Sequence, residues 1–229
     1  MQKETGFNTF TIFVGCGMLL ALGLVFGFAP IETNMGIVQK IFYFHAASAY
    51  LMYLSWAVAT IASVLYLTHR KDKFDALAAS SGELALVFAI IVMITGPLWG
   101  RKSWGAYWTW DPRLTSALLL TLIIFSYNLL RHLSSGEAER RFAAALSILG
   151  ACIVPIIHIS VQKWRGQHPT VITGKGGGLA PEMAATFALT LAVFTCFYVV
   201  LLMRRFKLEQ NKRQLAGLEE ESATAGLLQ

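Results

Sequence analysis

Five histidines and one tryptophan-dense segment carry most of the chemistry this chain has to offer. The histidines are His45, His69, His132, His158 and His168. The segment Trp99 to Thr115, reading WGRKSWGAYWTWDPRLT, holds four of the six tryptophans (Trp99, Trp104, Trp108, Trp110) with Tyr107, Asp111 and the cations Arg101, Lys102 and Arg113. His45 precedes it and His168 follows it. Imidazoles on either side of an aromatic shelf suit a flat metal macrocycle, because their nitrogens supply axial ligands above and below an iron. Indole faces offer such a ring a large apolar contact with little side-chain entropy to lose. Arg101, Lys102, Arg113 or Arg165 would meet its carboxylates, arginine being suited to bidentate contacts. His158 stands beside His168 as the other choice of second ligand, or as a supporting group within a bundle, since ionisable residues inside apolar spans are functional candidates. His69 and His132 adjoin basic residues and read as solvated side chains.

Plainer explanations exist for several of these residues. Trp and Tyr collect at membrane interfaces without any ligand, although a simple belt would populate both faces and here five tryptophans, Trp164 included, fall on one. Asp111-Pro112 has the form of a helix N-cap followed by proline at the first helical position. If 104–111 is helical, Trp104, Tyr107, Trp108 and Asp111 share one face. The cysteines, Cys16, Cys152 and Cys196, lie in apolar runs with no CxxC or CxxCH between them. They offer no disulfide framework, zinc site or thioether attachment of a porphyrin, and read as packing residues.

These residues must be positioned by membrane helices. The 229-residue chain is 55% hydrophobic and 14% charged, with mean hydropathy +0.56, values of a polytopic membrane protein. A helix needs ~20 mainly apolar residues to cross the hydrocarbon core, and six segments approach that: 10–29, 46–68, 83–98, 114–130, 142–161 and 182–203. Gly96-Pro97 marks the end of the third. The first is too long for a signal-peptide core and lacks a basic n-region, so it reads as a retained helix. Segment 30–45 reads as an interfacial helix leading into the second span, and GKGGG at 174–178 as a hinge.

The net charge of +6 reflects orientation rather than nucleic-acid binding. Most cations fall near 70–73, 131–141 and 204–213, which places both termini in the cytoplasm and the tryptophan segment outside. The outer loops still carry Lys40, Arg101, Lys102, Arg113, Lys163, Arg165 and Lys175. Those charges either meet an anionic ligand or are simply tolerated in short loops. The expected organisation is an all-α, six-helix membrane domain over 1–203 and a partly disordered cytoplasmic tail over 204–229.

TGPLWGRKSWGAYWTWDPRLTS resembles the tryptophan-rich signature of the haem-handling proteins of cytochrome c maturation. FYFHAASAY and VQKWRGQH resemble that family's two outer histidine motifs, so the likeness covers nearly the whole chain. Its short six-span architecture is similar to the haem exporter C branch, not to the larger lyase and synthetase members. The resemblance implies non-covalent haem b at the outer face of the bacterial inner membrane, with His45 and His168 as axial ligands. It implies a shelf of Trp104, Tyr107, Trp108, Trp110 and Asp111, flanked by Trp99 and Trp164, with Arg101, Arg113 and Arg165 as cations. The implied partners are a periplasmic haem chaperone (protein E of that system), ABC transporter subunits, a small accessory membrane subunit and membrane lipid. It further implies transfer rather than catalysis, against the alternatives of a haem lyase component or a haem channel without a stable site. Two departures stand out: Tyr107 occupies a usual tryptophan position, and Arg165-Gly166 replaces an aromatic and an asparagine.

Overall fold

Six apolar segments become six long helices in the computed structural model, which describes residues 2–133, 136–164 and 178–224. They are α1 (Gln2–Gly23, continued by a π-helical turn Leu24–Phe28), α2 (Ile41–His69), α3 (Asp72–Trp104), α4 (Pro112–Leu133), α5 (Glu137–Lys163) and α6 (Pro181–Thr224). Each is long and apolar enough to cross a membrane, and no named strand occurs among the described residues. The all-α polytopic architecture is the one the composition requires.

The main packing seam joins α2 to α3. Ala47, Ala59 and Ala62 on α2 and Ala76, Ala85 and Ala89 on α3 are fully buried. Small side chains allow close backbone approach, which drives association where helix and lipid are equally apolar. Beside this seam lie Trp56, Leu51, Met52, Leu120, Ile124, Tyr127 and Ile157. Trp56 and Tyr127 meet edge to face with centroids 5.4 Å apart. Gly82 makes room for the Tyr127 ring: a Cβ there would lie 2.4 Å from its Cε1. Helix α1 is peripheral and packs chiefly on α6.

One end of the bundle is fastened by ion pairs. Asp75, 2% exposed at its side chain, receives Arg131 (2.8 Å), Arg213 (2.8 Å) and, at 3.8 Å, Arg140. Glu83 accepts from Nε and Nη2 of Arg205, and Arg204 donates to Asn8 at 3.2 Å. These contacts set the start of α1 and the second half of α6 on the same side. They also account for a difference from the sequence expectation. Helix α6 does not fray at 204 but continues to Thr224, because Arg205, Glu209 and Arg213 bind one another and α3.

Three further boundaries move. Helix α3 continues through Gly96-Pro97, seven residues beyond the proline to Trp104. A proline within a helix removes one backbone hydrogen bond, a loss that neighbouring helices make tolerable in a membrane. The stretch 104–111 is not a helix: Gly105, at φ +81°, ends α3, and 106–111 is irregular. Pro112 reinforces this, since the residue before a proline is steered away from helical backbone. The interfacial helix expected over 30–45 forms only from Ile37, as one 3-10 turn, Ile37–Lys40, running directly into the start of α2. Ahead of it, Glu32 accepts the backbone N–H groups of Met35 and Asn34, which holds its carboxyl below the usual range. Lys40, counted from sequence among the outer cations, is 3% exposed and donates to the carbonyls of Val25 (2.6 Å) and Ala29. It caps the end of α1.

Candidate functional site

At the end opposite the ion pairs, the start of α2 meets the end of α3 because the two helices run antiparallel. This brings His45 against Thr95 and Gly96. His45 Nδ1 lies 2.9 Å from Thr95 Oγ1, and that hydroxyl donates its own hydrogen to the Ile91 carbonyl at 2.7 Å. A hydroxyl has one hydrogen to give, so the bond from the ring must be Nδ1–H donating to Oγ1. The resulting tautomer puts the lone pair on Nε2, the form in which an imidazole ligates a metal, with the second nitrogen fixed by its hydrogen bond. Gly96 belongs to the same arrangement. A Cβ at that position would stand 3.2 Å from His45 Cε1, so the bare backbone lets the imidazole lie flat on α3.

His45 lines a cavity together with Trp99, Trp104 and Trp108, Arg113, Tyr53, Met52 and Met93. Trp99 and Trp104 meet edge to face at 5.9 Å and 77°. Trp104 folds back over its own helix, where a Cβ at Gly100 would come within 2.5 Å of its ring. The Nε1–H groups of Trp104 and Trp108 are buried with no hydrogen-bond partner among the described residues. Arg113, at the first turn of α4, lies in electrostatic range of Tyr53 and the Asp111 carboxylate. Two indole donors and a guanidinium around an apolar space call for a ligand with an apolar body and an acceptor-rich, anionic edge.

The structure separates the sequence candidates. Trp99, Trp104, Trp108 and Arg113 join His45 at the cavity. Tyr107 and Trp110 do not: they are 59% and 76% exposed, because the irregular backbone past Gly105 turns them away from it. The expected common face of Trp104, Tyr107, Trp108 and Asp111 therefore does not form. Trp110 keeps an edge contact with Trp108 at 5.7 Å. Arg101 lies over the Tyr107 ring, 5.7 Å from its centroid, and donates to the Gly105 carbonyl, so it serves the end of α3. Asp111 is an N-cap in fact: Oδ1 accepts the Leu114 N–H at 2.8 Å. Its Oδ2 is buried without a partner among the described residues. Trp164 is exposed at the end of α5, outside the cavity. His168 and Arg165, like most of the GKGGG run, lie outside the described residues.

His158 is on α5 beside Tyr53, with ring centroids 5.2 Å apart. A second cavity is bordered by both histidines: His158 lines it with His45, Tyr53, Trp99 and Arg113. Thr95, Gly96 and Tyr53 are site residues that sequence reasoning did not single out. A threonine directly before Gly-Pro at the edge of an aromatic segment was the available signal, hidden because Gly-Pro reads as the end of a helix.

Comparison with known proteins now bears on this site. The family model for heme exporter protein C matches residues 5–220. Among curated relatives, heme exporter protein C of Bradyrhizobium diazoefficiens is 33% identical over 211 residues, covering 90% of this chain and 80% of the relative. That of Rhodobacter capsulatus is 29% identical over 214 residues, covering 91% and 88%. The Escherichia coli K12 protein is 31% identical over 154 residues, 66% of this chain and 63% of the relative. The fold, the tryptophan cavity and a match over most of the length agree, and the chain belongs to the heme exporter protein C family.

Proposed function

We propose that this chain handles haem for c-type cytochrome biogenesis, holding non-covalent haem b at the outer face of the bacterial inner membrane. It passes the haem to a periplasmic haem chaperone. The observation that carries this reading is His45: an imidazole fixed by Thr95 as the metal-ligating tautomer, in a cavity walled by three indoles and Arg113. Haem is cargo here and brings its own iron. The protein contributes positioning, which is how binding groups promote transfer without a nucleophile of their own.

The roles follow from the geometry. His45 Nε2 ligates the iron from the α2 side. Trp99, Trp104 and Trp108 supply apolar contact to the macrocycle. Arg113 and the Trp104 and Trp108 indole N–H groups receive the propionates. The second axial ligand is His168, assigned through the family's second histidine motif. The exposed Tyr107 and Trp110 stand at the mouth, where the haem chaperone docks. ATP-driven subunits and a small accessory membrane subunit complete the system in which the chain works.

Absorption spectra of the purified full-length protein test this reading. The wild type binds haem with a bis-imidazole spectrum, His45→Ala loses it, and His168→Ala leaves a one-imidazole species. A spectrum indifferent to His45→Ala refutes the proposal.

A further inference from the structure

The cavity shared by His45 and His158 has an unusual wall. Helices α5 and α6 both pack on α2 but scarcely on each other, which leaves a groove floored by α2 between them. Ala46 and Ala49 keep the floor low, and Phe187 and Leu191 form the α6 side. His158 stands on the α5 side, exposed although it lies within a span. An ionisable side chain on a membrane-spanning helix tends to mark a pathway or a pair.

Its hydrogen bond is read in the same way as that of His45. Nδ1 lies 3.0 Å from the Val154 carbonyl, which can only accept, so Nδ1 carries a hydrogen, and in the neutral ring the lone pair is on Nε2. Tyr53 packs against the ring and also lines both cavities. Two imidazoles of the same tautomer therefore border one groove, with Arg113 on its inner wall.

We propose that this groove is a lateral portal, through which haem passes from the outer half of the bilayer to the His45 cavity with His158 as a transient axial ligand. The proposal rests on the haem-holding function and adds a route to it. Iron porphyrin is the occupant because the groove is continuous with the His45 cavity and because His158 offers a metal-ligating nitrogen. The step is a ligand exchange: the bond from iron to His158 Nε2 forms, then breaks as the bond to His45 Nε2 forms. Between neutral imidazoles the exchange moves no proton or electron.

The test uses full-length protein in haem-free nanodiscs, mixed with haem-loaded liposomes and followed by stopped-flow absorbance. His158→Ala loads several-fold more slowly than the wild type, loses an early one-imidazole intermediate, and reaches the same final spectrum and haem content. Leu191→Trp narrows the groove without touching either histidine and also slows loading to the same end point. Wild-type loading rates in both variants overturn the portal while leaving the haem site intact. An altered final spectrum in His158→Ala overturns it too, making His158 a resident ligand. A final spectrum unaffected by His45→Ala instead refutes the underlying haem-holding function.

Discussion

At the scale of single residues, the site depends on side chains that never touch the cargo. Thr95 sets the tautomer of His45 by accepting from Nδ1 at 2.9 Å. Thr95→Val keeps the shape and removes the acceptor, so haem affinity falls ~10–100-fold, as for other outer partners of ligating histidines. Thr95→Ser restores it. Haem titration followed by absorbance gives both numbers. Gly96→Ala works through space instead. Its Cβ would sit 3.2 Å from His45 Cε1, so the ring must shift, and the expected result is weaker haem binding with unchanged thermal stability. Equal affinity in Gly96→Ala would show that the ring tolerates the shift.

At the scale of elements, Asp111 and Asp75 illustrate two ways in which one carboxylate organises helices. Asp111 starts α4 by accepting the Leu114 N–H, which places Arg113 at the cavity. Asparagine caps as well as aspartate, whereas alanine costs about 0.5–2 kcal/mol. Asp111→Asn therefore keeps the melting temperature and Asp111→Ala lowers it, as thermal denaturation in detergent will report. Asp75 fastens α3 to α4, α5 and α6 through Arg131, Arg140 and Arg213. Removing one partner of a buried pair leaves an uncompensated charge and costs ~3–5 kcal/mol. Asp75→Ala is expected to lower the melting temperature well beyond any single change at the tryptophan end. A melting temperature equal to wild type would mean that the arginines find water or other acceptors.

At the scale of the whole molecule, the bundle has two chemically distinct ends. One holds arginine–carboxylate networks with the start of α1 and the second half of α6, the other holds tryptophans, His45 and Arg113. The cation bias leads us to expect the first end in the cytoplasm. In a background lacking Cys16, Cys152 and Cys196, an impermeant thiol reagent applied to intact spheroplasts should label Tyr107→Cys and spare Lys212→Cys. Inverted vesicles should give the opposite pattern. Labelling of Lys212→Cys from outside would reverse the topology and with it the placement of the haem site.

The sequence by itself determined the six-helix class, the family and the tryptophan segment, because each depends on composition, local patterning or contiguous residues. Apolar length decides whether a helix spans, and a signature of adjacent residues survives without knowledge of the fold. It misread the interval after Gly96-Pro97, where a proline tolerated inside a membrane helix looks like its end, and where an assumed helical period put Tyr107 on the wrong face. Only the tertiary structure decided which aromatics share a cavity, because Gly105 and Pro112 break the period that would have aligned them. It alone joined His45 to Thr95 and His158 to the same groove. Those pairs stand fifty and more residues apart in the chain, and antiparallel helix packing, which no local pattern specifies, brings them together.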